Sequence, residues 1–283
     1  MRVWMTRPLP DAVQDAAHAL PIDMTVRSET LPLTDDELRS ALRDYDIVLP
    51  TLGDLFQAPV FADVPDARCK LLANFGVGYN HIDVAAAAAA GIAVSNTPGA
   101  VTDATADIAL MLMLMSARRA GEGERMVRAG NWPGWHPPQM LGLHLSGKHV
   151  GIVGMGRIGQ AIARRCHFGF GMQVSYVNRS PKEMPFPATQ VDTLAALAAE
   201  VDMLVVAVPG GAETRHLINA DVFAAMQKHA HFINIARGDV VDEAALCDAL
   251  DTGEIAGAGL DVYEREPIVS DGLRARETVV LLP

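Results

Sequence analysis

HVGIVGMGRIGQAIARRCHFGFGMQVSYVNRS, residues His149–Ser180, carries more structural information than any other stretch of the chain. An apolar run, Val150–Val153, enters Gly154-Met155-Gly156-Arg157-Ile158-Gly159 and leaves as a helical pattern. A second apolar run, Gln173–Val177, ends in Asn178-Arg179-Ser180. Strand, glycine turn, helix and strand in that order turn a GxGxxG match into a dinucleotide fingerprint. Each glycine has a separate job. Gly154 makes the tight turn, Gly156 lets the backbone approach a pyrophosphate, and Gly159 lets the helix pack close to the strand. The helix N-terminus then offers free N–H groups and a partial positive charge to the phosphates. A glycine-rich αβ turn with no ligand is the plainer alternative, and the flanking strands argue against it.

Outward from this unit, 283 residues make two domains a fair expectation. A hydrophobic fraction of 50% with 20% charged residues suits a well-packed α/β protein. No long uncharged apolar stretch predicts a membrane span, and the N-terminus lacks the pattern of a signal peptide. Three widely spaced cysteines (Cys69, Cys166, Cys247) predict reduced thiols in a cytoplasm rather than disulfides. A net charge of −11 makes nucleic acid an improbable partner, since a duplex repels such a surface. The nine histidines match no zinc spacing and there is no CxxC, so no metal is expected.

Before the fingerprint, short strands are expected at Val3–Met5, Ile47–Pro50, Leu71–Ala73 and Ala93–Ser95. Helical stretches Pro10–Leu20, Asp35–Leu42 and Val84–Ala90 alternate with them, which implies a parallel sheet. The run Ala85–Ala90 reads as a short packed helix, with Asp83 as N-cap and Gly91 closing it. Thr97-Pro98-Gly99 breaks the pattern, and the boundary is placed near Pro98–Ala100. Ala104–Ala117 follows, apolar on all sides, and predicts burial between two domains or at a subunit contact. Further strands are expected at Met203–Val208, His231–Ile235, Ala256–Leu260 and Val279–Leu282. Ligands of such sheets sit beyond the carboxyl ends of the strands, so the cleft between domains is the expected site.

Four segments lie at expected strand ends. Asn74-Phe75-Gly76-Val77-Gly78-Tyr79-Asn80 can point backbone N–H groups at an anion, or be an ordinary glycine turn. Asn234-Ile235-Ala236-Arg237-Gly238 places a guanidinium where it can grip a carboxylate bidentately, or form a structural ion pair. Gly259-Leu260-Asp261-Val262-Tyr263 puts an acid at another strand end. Glu264-Arg265-Glu266-Pro267 follows it, where surface acids are the ordinary expectation.

The series GVGY, GxGxxG, NIARGDVVDE and AGLDVYEREP resembles the D-isomer-specific 2-hydroxyacid dehydrogenases over nearly the whole chain. NFGVGYNHIDV and Gly130-Asn131-Trp132-Pro133-Gly134-Trp135 are similar to the glyoxylate/hydroxypyruvate reductase branch. The resemblance implies a Rossmann-type doubly wound nucleotide domain over 100–283 and a smaller flavodoxin-like parallel α/β substrate domain over 1–99. It also implies a homodimer through the nucleotide domains. By position, Val77 and Gly78 would offer N–H groups to the substrate carboxylate. Arg237 would bind that carboxylate and polarise the C2 carbonyl, and Glu266 would pair with a catalytic histidine and raise its pKa. Asp261 would hold the nicotinamide carboxamide, with Thr102, Val208, Pro209 and Ala236 lining the cofactor. Met155, Arg157 and Ile158 belong to the phosphate turn. Trp135 resembles an aromatic that reaches a neighbouring subunit's pocket, though interface packing explains it as well.

One element of the family pattern is absent. Its catalytic histidine belongs to a Pro-His-x-Gly segment that by spacing falls just past Pro283, and none of the nine histidines occupies it. The segment completing the first domain is likewise expected beyond 283. The 283 residues alone are therefore expected to bind cofactor but to reduce keto acids poorly.

The residue closing the second Rossmann strand is Asn178, not an acid, and Arg179, Ser180 and Lys182 follow. An acid there would hydrogen-bond the ribose of NAD. A carboxylate about 4 Å from a 2′-phosphate would cost on the order of 4 kcal/mol at an effective dielectric near 20. NADP(H) is expected to be preferred, with NAD(H) possible. The expected activity is reduction of a small 2-keto acid, glyoxylate or hydroxypyruvate, to a 2-hydroxy acid. Leu52 and Gly53 carry no charge for a phosphorylated substrate. Two rivals are an NAD-dependent D-lactate, formate or phosphoglycerate type enzyme, and a dinucleotide-sensing corepressor-like binding protein.

Overall fold

The computed structural model describes all residues, Met1–Pro283, which divide into two compact units, Met1–Val101 and Thr102–Pro283. The first unit runs β1 (Arg2–Met5), α1 (Asp11–His18), β2 (Asp23–Val26), α2 (Asp35–Asp44), β3 (Ile47–Leu49), α3 (Ala58–Ala62), β4 (Leu71–Ala73), α4 (Val84–Ala89) and β5 (Ala93–Ser95). Its five strands are all parallel in the order β2-β1-β3-β4-β5, the flavodoxin-like winding. Two of its four helices, α2 and α4, start on side-chain caps. Thr34 and Glu37 form a reciprocal capping box for α2, and Asp83 accepts from the Ala86 N–H at the start of α4.

The second unit begins with α5 (Thr102–Ala117) and α6 (Ala120–Arg128). There follow β6 (His149–Val153), α7 (Arg157–Phe170), β7 (Gln173–Val177), β8 (Thr189–Gln190), α8 (Leu194–Glu200), β9 (Met203–Val206) and α9 (Ala220–Ala225). Then come β10 (His231–Asn234), α10 (Glu243–Thr252), β11 (Gly257–Leu260), α11 (Asp271–Arg274) and β12 (Val279–Leu281). The seven parallel strands lie in the order β12-β11-β10-β9-β6-β7-β8, which reverses direction beside the glycine turn as a doubly wound sheet does. β9, β10 and β11 are buried along their whole length, as parallel strands covered on both faces must be. Successive side chains feed opposite cores. Leu204, Val206, Phe232 and Leu260 join one cluster, while Met203, Val205 and Ile233 join the other.

α5 leaves part of its apolar surface uncovered in the single chain. It buries one face on its own unit's sheet, where β11 offers glycine: a Cβ on Gly259 would lie 2.9 Å from Leu112 Cβ, and one on Gly257 3.1 Å from Ser116 Oγ. Met111 and Leu114 on the remaining surface are 38% and 37% exposed. β9 also stops at Val206, two residues short of the expected end, because the chain turns there toward Gly154. β2 and α3 carry no clear periodicity in the sequence. One is an edge strand with half-buried alternate residues and the other is five residues containing Pro59. No helix is long and apolar enough to cross a membrane, and all three cysteines are unpaired.

Under α5, the buried His231 places Nδ1 2.8 Å from Ser116 Oγ. Burial pushes this imidazole down from 6.5 to about 4, with the nearby charge of His229 adding to the effect. The unfolded chain takes up a proton below about 6.5 and the folded one resists until about 4, so stability falls as pH drops through that window. The loss is on the order of 3 kcal/mol. Urea unfolding from pH 7 to 4 should show a shallower decline for His231→Gln than for wild type; identical slopes would exclude this assignment.

Candidate active site

The glycine turn fits its fingerprint atom by atom. Gly154 sits at φ +99, and a Cβ there would lie 2.8 Å from the Ala207 carbonyl oxygen and from Val208 Cγ1. A Cβ on Gly159 would fall 2.1 Å from the Gly154 carbonyl oxygen, so only glycine lets α7 approach β6. Gly156 has open space where a Cβ would be, and no side chain caps α7. The first amides of a 14-residue helix therefore face an accessible backbone cradle. These features fit a pyrophosphate, which Gly156, Arg157 and Ile158 would hold. Val208 and Pro209 follow β9 directly beside this turn.

Asn178, at the end of β7, is already occupied. Its Oδ1 accepts the Met155 N–H at 3.1 Å and its Nδ2 donates to the Ser180 carbonyl at 2.7 Å. The side chain braces the glycine turn and bends the following loop, leaving Arg179 and Ser180 exposed. No carboxylate stands at this strand end.

Arg237 follows β10, two strands from the glycine turn in sheet order. The buried Asn234 builds its turn. Asn234 Oδ1 accepts the Ala236 N–H at 3.0 Å, Nδ2 donates to the Arg237 carbonyl at 2.9 Å, and its own carbonyl accepts the Asp261 N–H at 3.0 Å. One residue, through its side chain and its carbonyl, thus joins the arginine turn to the end of β11. Two glycines clear space around the arginine. A Cβ on Gly210 would lie 2.7 Å from Arg237 Cγ, and one on Gly238 would overlap the Tyr263 carbonyl group. Arg237 Nη1 donates to the Ala236 carbonyl at 2.7 Å.

Beyond β11, Glu266 Oε1 accepts the Tyr263 N–H at 2.9 Å. Burial first, and the neighbouring Glu266 carboxylate second, raise Asp261 above the ordinary aspartate range. The same burial and the two acids push Tyr263 up to about 12, while its hydroxyl donates to the Leu282 carbonyl at 2.6 Å. Acid, amide and guanidinium groups thus leave the same edge of one sheet.

In the first unit the loop after β4 turns its carbonyls inward. Asn74 Nδ2 donates to the Gly76 and Gly78 carbonyls at 3.2 and 3.0 Å, and Asn96 Nδ2 donates to the Val77 carbonyl at 2.8 Å. The Val77 and Gly78 N–H groups are left outside this internal bonding, the arrangement an anion-binding loop needs. Asn74 and the buried His81, whose Nε2 lies 2.9 Å from Asn74 Oδ1, were not singled out by sequence reading, because polar side chains after a strand look like ordinary loop residues. Asn234, the last residue of β10, and Gly210, in the loop after β9, carry no signal either, because their roles depend on contacts distant in the chain. Thr102 opens α5, and Trp135 lies in the loop after α6 with 79% of its surface exposed. No group of three or more His, Cys, Asp or Glu side chains is arranged to hold a metal ion.

Residues 110–283 match the family described as D-isomer specific 2-hydroxyacid dehydrogenase, NAD binding domain. The whole chain aligns with a glyoxylate reductase from Thermococcus kodakarensis, 41% identical over 289 residues and 85% of that protein. It also aligns in full with a glycerate dehydrogenase from Hyphomicrobium methylovorum, 36% identical and 88% covered. Among solved structures, the NADPH-dependent glyoxylate/hydroxypyruvate reductase of Sinorhizobium meliloti, in complex with NADP and malonate, superimposes with a TM-score of 0.85. That pair is 38% identical, covering all of this chain and 85% of the other.

Asn234→Ala would leave the buried Ala236 N–H unpaired, at a cost of about 1–3 kcal/mol. Urea unfolding should register that loss; a variant as stable as wild type would show that this side chain does not hold the turn.

Proposed function

The chain belongs to the D-isomer specific 2-hydroxyacid dehydrogenases, and from that premise we propose that it reduces small 2-keto acids, glyoxylate and hydroxypyruvate foremost, with a nicotinamide dinucleotide. The observation that carries the proposal is Arg237, set by Asn234 at a strand end two strands from the phosphate turn. The bound nicotinamide supplies the hydride. Arg237 grips the substrate carboxylate and stabilises the negative charge developing on the carbonyl oxygen. The Val77 and Gly78 amides share in holding the carboxylate. Asp261 would accept from the nicotinamide carboxamide, and Thr102, Val208, Pro209 and Ala236 would line the cofactor. Glu266 pairs with the proton-donating histidine that the family resemblance implies, which is none of the nine in this sequence.

NADPH is the preferred cofactor in this reading. Asn178 brings no charge against a 2′-phosphate, and Arg179 is exposed beside it. The enzyme acts as a homodimer through the nucleotide-binding units. The exposed Met111 and Leu114 of α5, with Trp132 and Trp135, support that pairing, and Trp135 reaches the partner copy. The three unpaired thiols suit a cytoplasmic setting.

Two measurements test these assignments. Arg237→Met should weaken glyoxylate binding to the NADPH-loaded protein on the order of 100-fold while sparing NADPH itself; undiminished glyoxylate affinity would refute its role. Arg179→Ala should lower NADPH affinity about tenfold relative to NADH. An unchanged ratio of the two affinities would refute the cofactor preference.

A further inference from the structure

His216 stands where three loops of the second unit meet. Its backbone N–H donates to the Asp239 carbonyl at 2.9 Å, in the turn immediately after Arg237. Its Nε2 lies 3.0 Å from Glu264 Oε1, and Arg215 Nη2 approaches the same oxygen at 3.6 Å. The Glu264 N–H in turn donates to Glu243 Oε1 at 2.7 Å, at the start of α10. His216 holds φ +48, a backbone region that suits glycine or asparagine better than histidine. The bond from its imidazole to a mostly buried carboxylate offsets that strain.

The Glu264 peptide is also the surface on which the arginine turn rests. Gly238 packs against Tyr263 and Glu264 with no room for a side chain: a Cβ would lie 1.8 Å from the Tyr263 carbonyl carbon and 2.3 Å from the Glu264 nitrogen. The preceding N–H, that of Tyr263, is the one Glu266 accepts. Holding Glu264 therefore holds both the turn that carries Arg237 and the segment that orients Glu266. The sequence EREP, with two acids two residues apart, hides this division of labour. Glu266 faces its own strand end, whereas Glu264 ties the segment to the loop after β9.

We infer that His216 and Glu264 form a positioning pair that sets the Arg237 guanidinium and the Glu266 carboxylate for keto-acid binding, an inference that rests on the function proposed above. Neither residue touches substrate in this scheme. Their effect reaches the substrate only through the arginine turn, so it should fall on keto-acid affinity and spare the dinucleotide.

Calorimetry on the full chain separates these cases, with NADPH titrated first and malonate then titrated into the NADPH-loaded protein. His216→Ala should weaken malonate at least about tenfold while changing NADPH affinity less than about twofold. His216→Gln, which can still donate to Glu264, should recover most of the malonate affinity, and circular dichroism on each variant should match wild type. Malonate binding unchanged in His216→Ala, or NADPH affinity falling in step with malonate, would overturn the positioning role. Failure of His216→Gln to recover any affinity would overturn it as well. Wild-type protein that binds NADPH but no malonate would overturn the keto-acid reading itself, and the inference with it.

Discussion

The packing of Gly159 on the carbonyl of Gly154 is the constraint from which the second unit's chemistry follows. With a Cβ there only 2.1 Å from that oxygen, α7 sits as close to β6 as two backbones allow. This approach aims the start of α7 along the strand axis, so that its free amides gather over Gly156. Gly154 in turn lies against the Ala207 carbonyl, which couples the phosphate turn to the loop leaving β9. A larger residue at either point would move the helix away and disperse the positive end of its dipole.

The same device recurs at the chemical end of the sheet. Gly210 and Gly238 press the arginine turn between neighbouring loops, and Asn234 satisfies the backbone groups that the turn leaves unpaired. Arg237 is therefore placed by close backbone contacts and a buried amide. In the first unit two asparagine amides, of Asn74 and Asn96, perform the corresponding service by tying down three carbonyls. Preorganised donors of this kind avoid reorganisation when negative charge develops.

Much of this was legible because the signals are local. Glycine spacing marks the phosphate turn, and the strands Leu71–Ala73, Ala93–Ser95 and Gln173–Val177 lie where apolar runs end in turn residues. Sequence reading loses force where a residue's role depends on neighbours distant in the chain. Asn234 sits at the end of an apolar run, and nothing in that run tells of the Asp261 N–H it serves 27 residues later. His216 and Glu264, 48 residues apart, are just as silent. The close seat of α5 on β11 likewise depends on glycines in another element. β2 and α3 are too short, and too weakly buried in the one case, to produce a period.

The most direct measurement is a crystal structure of the protein grown with NADPH and malonate. The account predicts the pyrophosphate over Gly156, held by the first amides of α7, and a malonate carboxylate paired with the Arg237 guanidinium. A dinucleotide bound away from the glycine turn, or a malonate that leaves Arg237 untouched, would contradict it.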